Sequence, residues 1–429
     1  MDHIVIIGNG IAGATAARHI RKLDNACRIT MISEETDYFF SRTALMYVFM
    51  GHMQFEHTQP YENDFWSRNR LELLRDRVMA VDTDRKELRL QTGEVIRYHK
   101  LLLATGSLPN KFGWPGQDHQ GVQGLYSKQD LELLEEYSAT TERAVIVGGG
   151  LIGIELAEML HSRNIPVTML VREKNFWNSV LPDEESAMIS RHIKEHHIDL
   201  RLESELEEIL ADSNGRVKAI KTKKGEEIEC QLVGLTVGVH PNISFLEGSG
   251  IETNKGVLVN RRLETNVPDV YAAGDCAEQR QAIGERKAVE QVWYTGRMMG
   301  EVVAQNICGK RVEYAPDNWF NSAKFFDIEY QTYGWVWSKP KENEASLYWE
   351  HQDGKKALRL VYNTTNGALL GVNAFGIRLR HEVCDSWIRQ KVHINEVVKA
   401  LETANFDPEF YRRHEKAIRK HFKGRTAIA

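Results

Sequence analysis

Two stretches of this 429-residue chain repeat one order of parts. Ile4-Val5-Ile6-Ile7 runs into Gly8-Asn9-Gly10-Ile11-Ala12-Gly13, followed by Ala14, Ala16, Ala17 and Ile20 at helical spacing. Arg143 to Val147 runs into Gly148-Gly149-Gly150-Leu151-Ile152-Gly153, followed by Ile154, Leu156, Ala157 and Leu160. Both read as strand, glycine turn and helix, the context in which G-x-G-x-x-G signals a dinucleotide cradle. The first glycine permits the tight turn, the second lets backbone approach a pyrophosphate, and the third lets helix pack on strand. The free N–H groups of the helix start then face phosphate. Each unit ends on a buried strand and a further glycine: Leu101-Leu102-Leu103 into Ala104-Thr105-Gly106, and Leu232 to Leu235 into Thr236-Val237-Gly238. Two units of similar length and identical order point to a duplicated dinucleotide-binding architecture.

Arg28 to Ile32 reads as the second strand of the first unit, ending at Ser33-Glu34-Glu35. Glu34 lies about 20 residues past the glycine turn, where a carboxylate accepts hydrogen bonds from a ribose. Tyr38 to His52 is aromatic and interrupted, and predicts a loop entering a helix. Val78 to Val81, Glu87 to Leu90 and Val95 to Tyr98 predict short strands. In the second unit Val167 to Val171 predicts a strand, and Val217 to Lys221 with Glu227 to Cys230 a hairpin region. Val270 to Ala273 is an apolar strand before Gly274-Asp275, with a helix expected from about Glu290 to Ile307. Beyond Tyr314 aromatic residues crowd the chain. Leu358 to Tyr362 and Leu369 to Phe375, joined around Asn366-Gly367, predict an antiparallel sheet, and Glu382 to Gln390 and Ile394 to Leu401 predict helices.

The fold expected is therefore α/β: two Rossmann-like dinucleotide-binding domains, the second inserted in the first, plus a C-terminal α+β domain. The boundaries are 1–112 with 245–314, 113–244, and 315–429. A formal charge of −5 leaves no footprint for nucleic acid. The basic run from Arg412 to Lys423 reads as the solvated face of a last helix or as a docking patch for an acidic partner. Five cysteines (Cys27, Cys230, Cys276, Cys308, Cys384) stand without C-x-x-C spacing, which predicts no metal site, no dithiol motif and a reducing, cytoplasmic setting. No signal peptide is expected, since Met1-Asp2-His3 leads straight into the first strand, and no membrane span, since the longest uncharged apolar runs, such as Ala144 to Ile154, are short and contain glycine.

Taken together, IIGNGIAG, LLLATG, IVGGGLIGIELAE and VYAAGDCA resemble, in order, the motifs of the pyridine nucleotide-disulfide oxidoreductase superfamily. The resemblance covers essentially the whole chain. It implies FAD on the first cradle, held by Gly8, Gly10, Ala12, Gly13, Glu34 and Glu35, with the Val78 backbone near adenine. Thr105 and Gly106 then lie beside the FAD, and Gly274-Asp275 contacts its ribityl or pyrophosphate region, an N-cap role for Asp275 being compatible with this. It implies NAD(P)H on the second cradle, held by Gly148, Gly150, Leu151, Ile152, Gly153, Glu155, Arg172 and Gly238. Arg42, Tyr47, Glu155, Glu290 and Gln291 are the residues expected around the isoalloxazine and nicotinamide, with ordinary helix surface the alternative for Glu290 and Gln291.

The segment from Tyr38 holds Ser41-Arg42-Thr43 where disulfide reductases of the superfamily keep a cysteine pair. Asn405-Phe406-Asp407-Pro408-Glu409 lacks the His-Pro relay of those enzymes. Dithiol chemistry is therefore without nucleophile and base. What remains resembles the branch of rubredoxin and ferredoxin reductases, nitrite reductase flavoproteins and apoptosis-inducing-factor-like proteins. Tyr47 stands where that branch usually has a lysine paired with the glutamate matched by Glu155. The activity implied is hydride transfer from NAD(P)H to FAD, then electron transfer to a small carrier protein. NAD(P)H oxidation by oxygen and a redox-sensing interaction role are the alternatives. Arg172, at the end of Val167–Val171, suits a 2′-phosphate and tips the reading toward NADPH, while Glu173 could bind a ribose instead. Oligomeric state is open between monomer and dimer, with a homodimer favoured.

Overall fold

The structure is a computed structural model that describes residues 2–407, 409–410 and 412–424. Pro408 of the Asn405–Glu409 stretch lies outside the described residues. The chain divides into two compact units: Met1–Lys111 with Gly124–Ala139 and Gly238–Pro316, and Phe112–Gln123 with Thr140–Val237 and Asp317–Ala429. The expected C-terminal range thus groups with the second cradle, and residues 124–139 group with the first.

In the first unit a five-stranded parallel sheet runs in the order Val270–Ala272, Lys100–Leu103, His3–Ile7, Arg28–Ser33, Leu71–Arg75. Its apolar runs are covered on both faces, as a parallel sheet requires, so Val5, Ile6, Leu101, Leu102 and Ile29 are fully buried. Helix Ile11–Leu23 follows the first glycine turn. Helix Trp293–Ile307 packs against it closely because Gly300 has no side chain; a Cβ there would stand 2.6 Å from the Ala12 carbonyl oxygen. That helix begins three residues later than the sequence pattern suggests, since Val292 is still extended. The three short strands expected between Val78 and Tyr98 are Val78–Asp82, Glu87–Leu90 and Val95–Arg97, and they pair as a small antiparallel sheet.

The second unit repeats the design. Its parallel sheet runs Asp199–Leu202, Val167–Val171, Ala144–Val147, Leu232–Leu235, Val122–Gln123. Helix Leu151–Ser162 follows the second glycine turn, and Asp183–Glu195 is a further helix. Beside the parallel sheet lies the hairpin region Leu206–Ala211, Val217–Thr222, Glu227–Glu229. The C-terminal segment contributes an antiparallel sheet in the order Phe320–Phe325, Ile328–Gly334, Leu369–Phe375, Ala357–Asn363, Glu344–Glu350. Helices His381–Arg389 and Ile394–Lys399 accompany it, and Glu415–Phe422 ends in the basic residues Arg419, Lys420 and His421. Ile418 and Phe422 of this last helix are buried, which gives it an apolar inner face.

Among the described residues no helix is long and apolar enough to cross a membrane. All five cysteines are free, four of them buried.

Candidate functional site

The two glycine turns carry their chemistry in what each glycine meets. Gly8 has φ +106, and a Cβ on it would lie 2.1 Å from the Ala104 carbonyl oxygen; a Cβ on Gly13 would lie 2.0 Å from the Gly8 carbonyl oxygen. These two positions are closed to any side chain. Gly10 differs: a Cβ there meets nothing within 4 Å. It is the N-cap of helix Ile11–Leu23, its φ and ψ are open to L-residues, and no side chain caps the helix. The orphan N–H groups of the first turn thus have no side-chain cap, and the space beside Gly10 is open, as backbone approach to phosphate requires.

The second turn reproduces this division. Gly148 has φ +128, with a Cβ 2.4 Å from the Thr236 carbonyl oxygen, and a Cβ on Gly153 would stand 2.7 Å from that of Gly148. Gly150, the N-cap of helix Leu151–Ser162, again meets nothing within 4 Å and leaves the helix without a side-chain cap. Leu151 and Ile152 are half-buried in its first turn.

Around the first cradle, several expected residues converge on one polar cluster. Arg42 grips Glu35 in a fork: Nη1 donates to Oε1 at 2.8 Å and Nη2 to Oε2 at 2.6 Å. Arg42 Nη1 also donates to the Tyr126 carbonyl oxygen at 2.6 Å, and its guanidinium lies 4.4 Å from the Tyr126 ring centroid. The backbone N–H of Lys128 completes the Glu35 carboxylate at 2.8 Å. Asp275 accepts from Ser107 Oγ at 3.2 Å and from the Tyr126 hydroxyl at 3.3 Å. Burial raises the Asp275 carboxyl above its ordinary range, with the Ser107 bond and Arg42 pulling the other way. Gln291 Nε2 donates to Ser107 Oγ at 2.9 Å. Gly106, φ +69, sits where a Cβ would be 2.9 Å from the Tyr126 hydroxyl. Thr105 Oγ1 donates to the Asn242 carbonyl oxygen at 2.7 Å.

Ser107 and Tyr126 link Arg42, Asp275, Gly106 and Gln291, yet sequence reasoning does not single them out. Ser107 had a signal, since it follows LLLATG directly. Tyr126 had none, because its contacts are made across the fold.

Other expected residues stand apart from this cluster. Glu34, at the end of Arg28–Ser33, is exposed, with Arg77 Nε at 3.5 Å. Ala12 is buried, and a Cβ on Gly274, φ +80, would lie 2.9 Å from the Ala12 Cβ. Val78 is buried in the small antiparallel sheet opposite Leu90. Glu290 is buried in an ion pair with Arg286, both carboxylate oxygens at 3.2 Å from Nη1. Tyr47 lies on the short helix Leu45–Phe49 with its ring stacked over His52 at 6.1 Å.

In the second unit Glu155 lies on the inner turns of helix Leu151–Ser162. Burial, then the like charge of Glu158, pushes its carboxyl up to about 7, against the pull of Lys324. Lys324 itself bonds Glu158 at 2.6 Å. Because the folded chain holds this proton more tightly than the unfolded chain does, the group favours folding below about 4.5, and that contribution is lost as pH rises to about 7. Glu155→Gln removes the titration. The melting temperature of the wild type relative to E155Q should therefore fall between pH 4.5 and 7 and level off above; a flat difference across that range refutes the assignment.

Arg172 follows strand Val167–Val171, is exposed, and donates through Nε to Glu173 Oε1 at 2.7 Å. Gly238, φ +89, falls in the first unit, its carbonyl oxygen accepting from the Asn110 N–H at 3.0 Å.

The sequence pattern of the pyridine nucleotide-disulphide oxidoreductase family matches residues 2–300. A nitrite reductase [NAD(P)H] of Bacillus subtilis is 28% identical over 401 residues, covering 92% of this chain and 48% of the relative. The chain thus spans about half the length of that protein. The ferredoxin reductase subunit of the 5,5'-dehydrodivanillate O-demethylase of a Sphingobium species is 31% identical over 334 residues, 77% of this chain and 81% of the relative. Among solved structures, the putidaredoxin reductase–putidaredoxin complex superposes with a TM-score of 0.82 at 21% identity, covering 95% of this chain and 99% of that one. Its identity level speaks to the fold alone, and the fold agrees with the duplicated cradles. The glycine geometry repeated at Gly8–Gly13 and Gly148–Gly153 and the family pattern over residues 2–300 lead to one conclusion: this chain belongs to the pyridine nucleotide-disulphide oxidoreductase family.

Proposed function

We propose that this chain is an FAD-containing NAD(P)H oxidoreductase that passes electrons to a small carrier protein such as a rubredoxin or ferredoxin. The observation that carries the reading is the pair of open, uncapped helix N-termini at Gly10 and Gly150, each behind a turn closed to side chains. Two dinucleotides in one chain fit an enzyme that moves reducing equivalents between nucleotides. FAD, when bound, supplies the chemistry of accepting a hydride and releasing electrons singly.

The chain's own residues do the rest. Residues 1–112 with 245–314 are the proposed FAD domain, 113–244 the NAD(P)H domain, and 315–429 the C-terminal domain. The N–H groups behind Gly10 bind the FAD pyrophosphate, and exposed Glu34 accepts from the ribose hydroxyls. Arg42 is held in place by Glu35 and Tyr126, and Asp275 by Ser107 and Tyr126, so both reach the cofactor from a fixed frame. Glu290, committed to Arg286, acts through that pair rather than on the cofactor directly. The N–H groups behind Gly150 bind the nicotinamide dinucleotide. Glu155, poised near neutrality, holds or yields a proton at its carboxyl on the same helix.

No cysteine occupies the Ser41-Arg42-Thr43 segment, which removes a thiol intermediate from the path. Relatives named as ferredoxin and rubredoxin reductases support a protein acceptor. The free cysteines support a reducing, cytoplasmic setting.

The choice of NADPH rests on Arg172. Its Nε is engaged by Glu173, which leaves the terminal guanidinium nitrogens for a 2′-phosphate. Arg172→Ala should raise the KM for NADPH about 10-fold and leave that for NADH nearly unchanged, the loss of one charge-assisted contact shared with Glu173. A wild-type preference for NADH would remove the assignment. The overall reading is tested by anaerobic addition of NADPH or NADH to the purified protein. Bleaching of the flavin absorbance is expected; flavin that neither nicotinamide bleaches would overturn it.

A further inference from the structure

We propose that His192, His196 and Asp327 form a binding site for one divalent transition-metal ion of the zinc class. His192 belongs to helix Asp183–Glu195 and His196 is its C-cap, four residues on, so both rings leave the same face. Asp327 sits in the two-residue turn between Phe320–Phe325 and Ile328–Gly334. Asp327 Oδ1 lies 2.6 Å from His192 Nε2 and 3.0 Å from His196 Nε2, and the three ligand atoms are all within 4.8 Å of one another.

Independent features of the chain converge here. The His192 side chain is 1% exposed, and neither ring nitrogen makes a hydrogen bond of proper geometry, although Asp327 is so near. An imidazole buried in this way calls for a partner along its lone pair. Phe326 has φ +55 at the first central position of the turn, where a bulky residue is strained and glycine is the usual choice. Its ring stacks flat on His196, centroids 4.2 Å apart at 6°. The turn is thereby held in a costly conformation that presents Asp327 to both histidines.

Lys355 Nζ donates to Asp327 Oδ2 at 3.2 Å and leaves Oδ1 to the histidines. Glu195 Oε2 stands 3.5 Å from His192 Nδ1, within reach of the outer-shell role that orients a metal-bound ring. Two imidazoles and one carboxylate, with no thiolate, match zinc, cobalt or nickel and leave a position for water. An ion there ties the helix to the hairpin tip inside the second unit.

The test uses the untagged, flavin-loaded full chain, treated with chelator and then titrated with zinc sulfate. One zinc per chain by elemental analysis and a rise in melting temperature are expected. His196→Gln and Asp327→Asn, both at solvent-reachable side chains, should weaken zinc binding at least about 100-fold, beyond what loss of an outer-shell partner costs. They should also abolish the zinc-dependent rise. No rise in the wild type, or unchanged zinc content in the two variants, overturns the proposal.

Discussion

Gly10→Asp should leave the apoprotein at least as stable as the wild type and weaken FAD binding about 1000-fold. The two effects separate because of what surrounds the position. The backbone there is in a region any L-residue adopts, and a Cβ meets nothing within 4 Å. Gly10 is an N-cap without a side-chain cap, and Asp is among the best residues for that place, so the folded apoprotein loses nothing. A carboxylate facing the first-turn N–H groups would, however, occupy the position proposed for the pyrophosphate. At about 4 Å and an effective dielectric constant near 20, two like charges repel by about 4 kcal/mol, the source of the 1000-fold estimate. Flavin content after purification and the melting curve of the apoprotein check the two halves. Retained flavin would show that the first helix is not the flavin cradle. Loss of fold would show that Gly10 has a packing role like that of Gly8.

Gly150→Asp is the matching experiment on the second cradle, and its expected outcome is complementary. Gly150 is again an uncapped N-cap with open space around its missing Cβ. The variant should keep its full flavin content and fold, while its affinity for NADPH and NADH falls by about the same factor. Stopped-flow bleaching of the flavin under anaerobic conditions reads this directly. Dithionite should still bleach it fully. Crossed results, with G150D losing flavin or G10D losing only nicotinamide binding, would mean that the two cradles have been assigned to the wrong nucleotides.

Why these positions were legible in the sequence follows from local physics. A strand buried on both faces is written as an uninterrupted apolar run, and Ile4–Ile7, Leu101–Leu103 and Ala144–Val147 are such runs. A turn that admits no Cβ must be glycine, so Gly8 and Gly148 announce themselves. The hairpin between Ala357–Asn363 and Leu369–Phe375 was equally plain, because Asn366-Gly367 marks its turn.

The neighbouring hairpin was hidden for the opposite reason. Its turn is Phe326-Asp327, and nothing about a phenylalanine suggests φ +55. The strands Phe320–Phe325 and Ile328–Gly334 showed in the sequence only as aromatic density. Helix Lys128–Ser138 carried a local mark, the Ser127–Asp130 capping box. What the helix does for the site, donating the Lys128 N–H to Glu35, depends on a contact 93 residues away in the chain. The same holds for Tyr126 and Ser107. Each is an ordinary residue made special by the glycine turn and the strand ends that it meets.

The direction in which electrons leave the chain is tested most directly in the second half of the reaction. The protein, bleached anaerobically with a limiting amount of NADPH or NADH, is mixed in separate stopped-flow runs with oxidised rubredoxin, oxidised ferredoxin and air-saturated buffer, and the return of flavin absorbance is followed. Recovery much faster with one of the carrier proteins than with oxygen is the predicted result. Recovery that is fast with oxygen and no faster with either carrier would contradict the account.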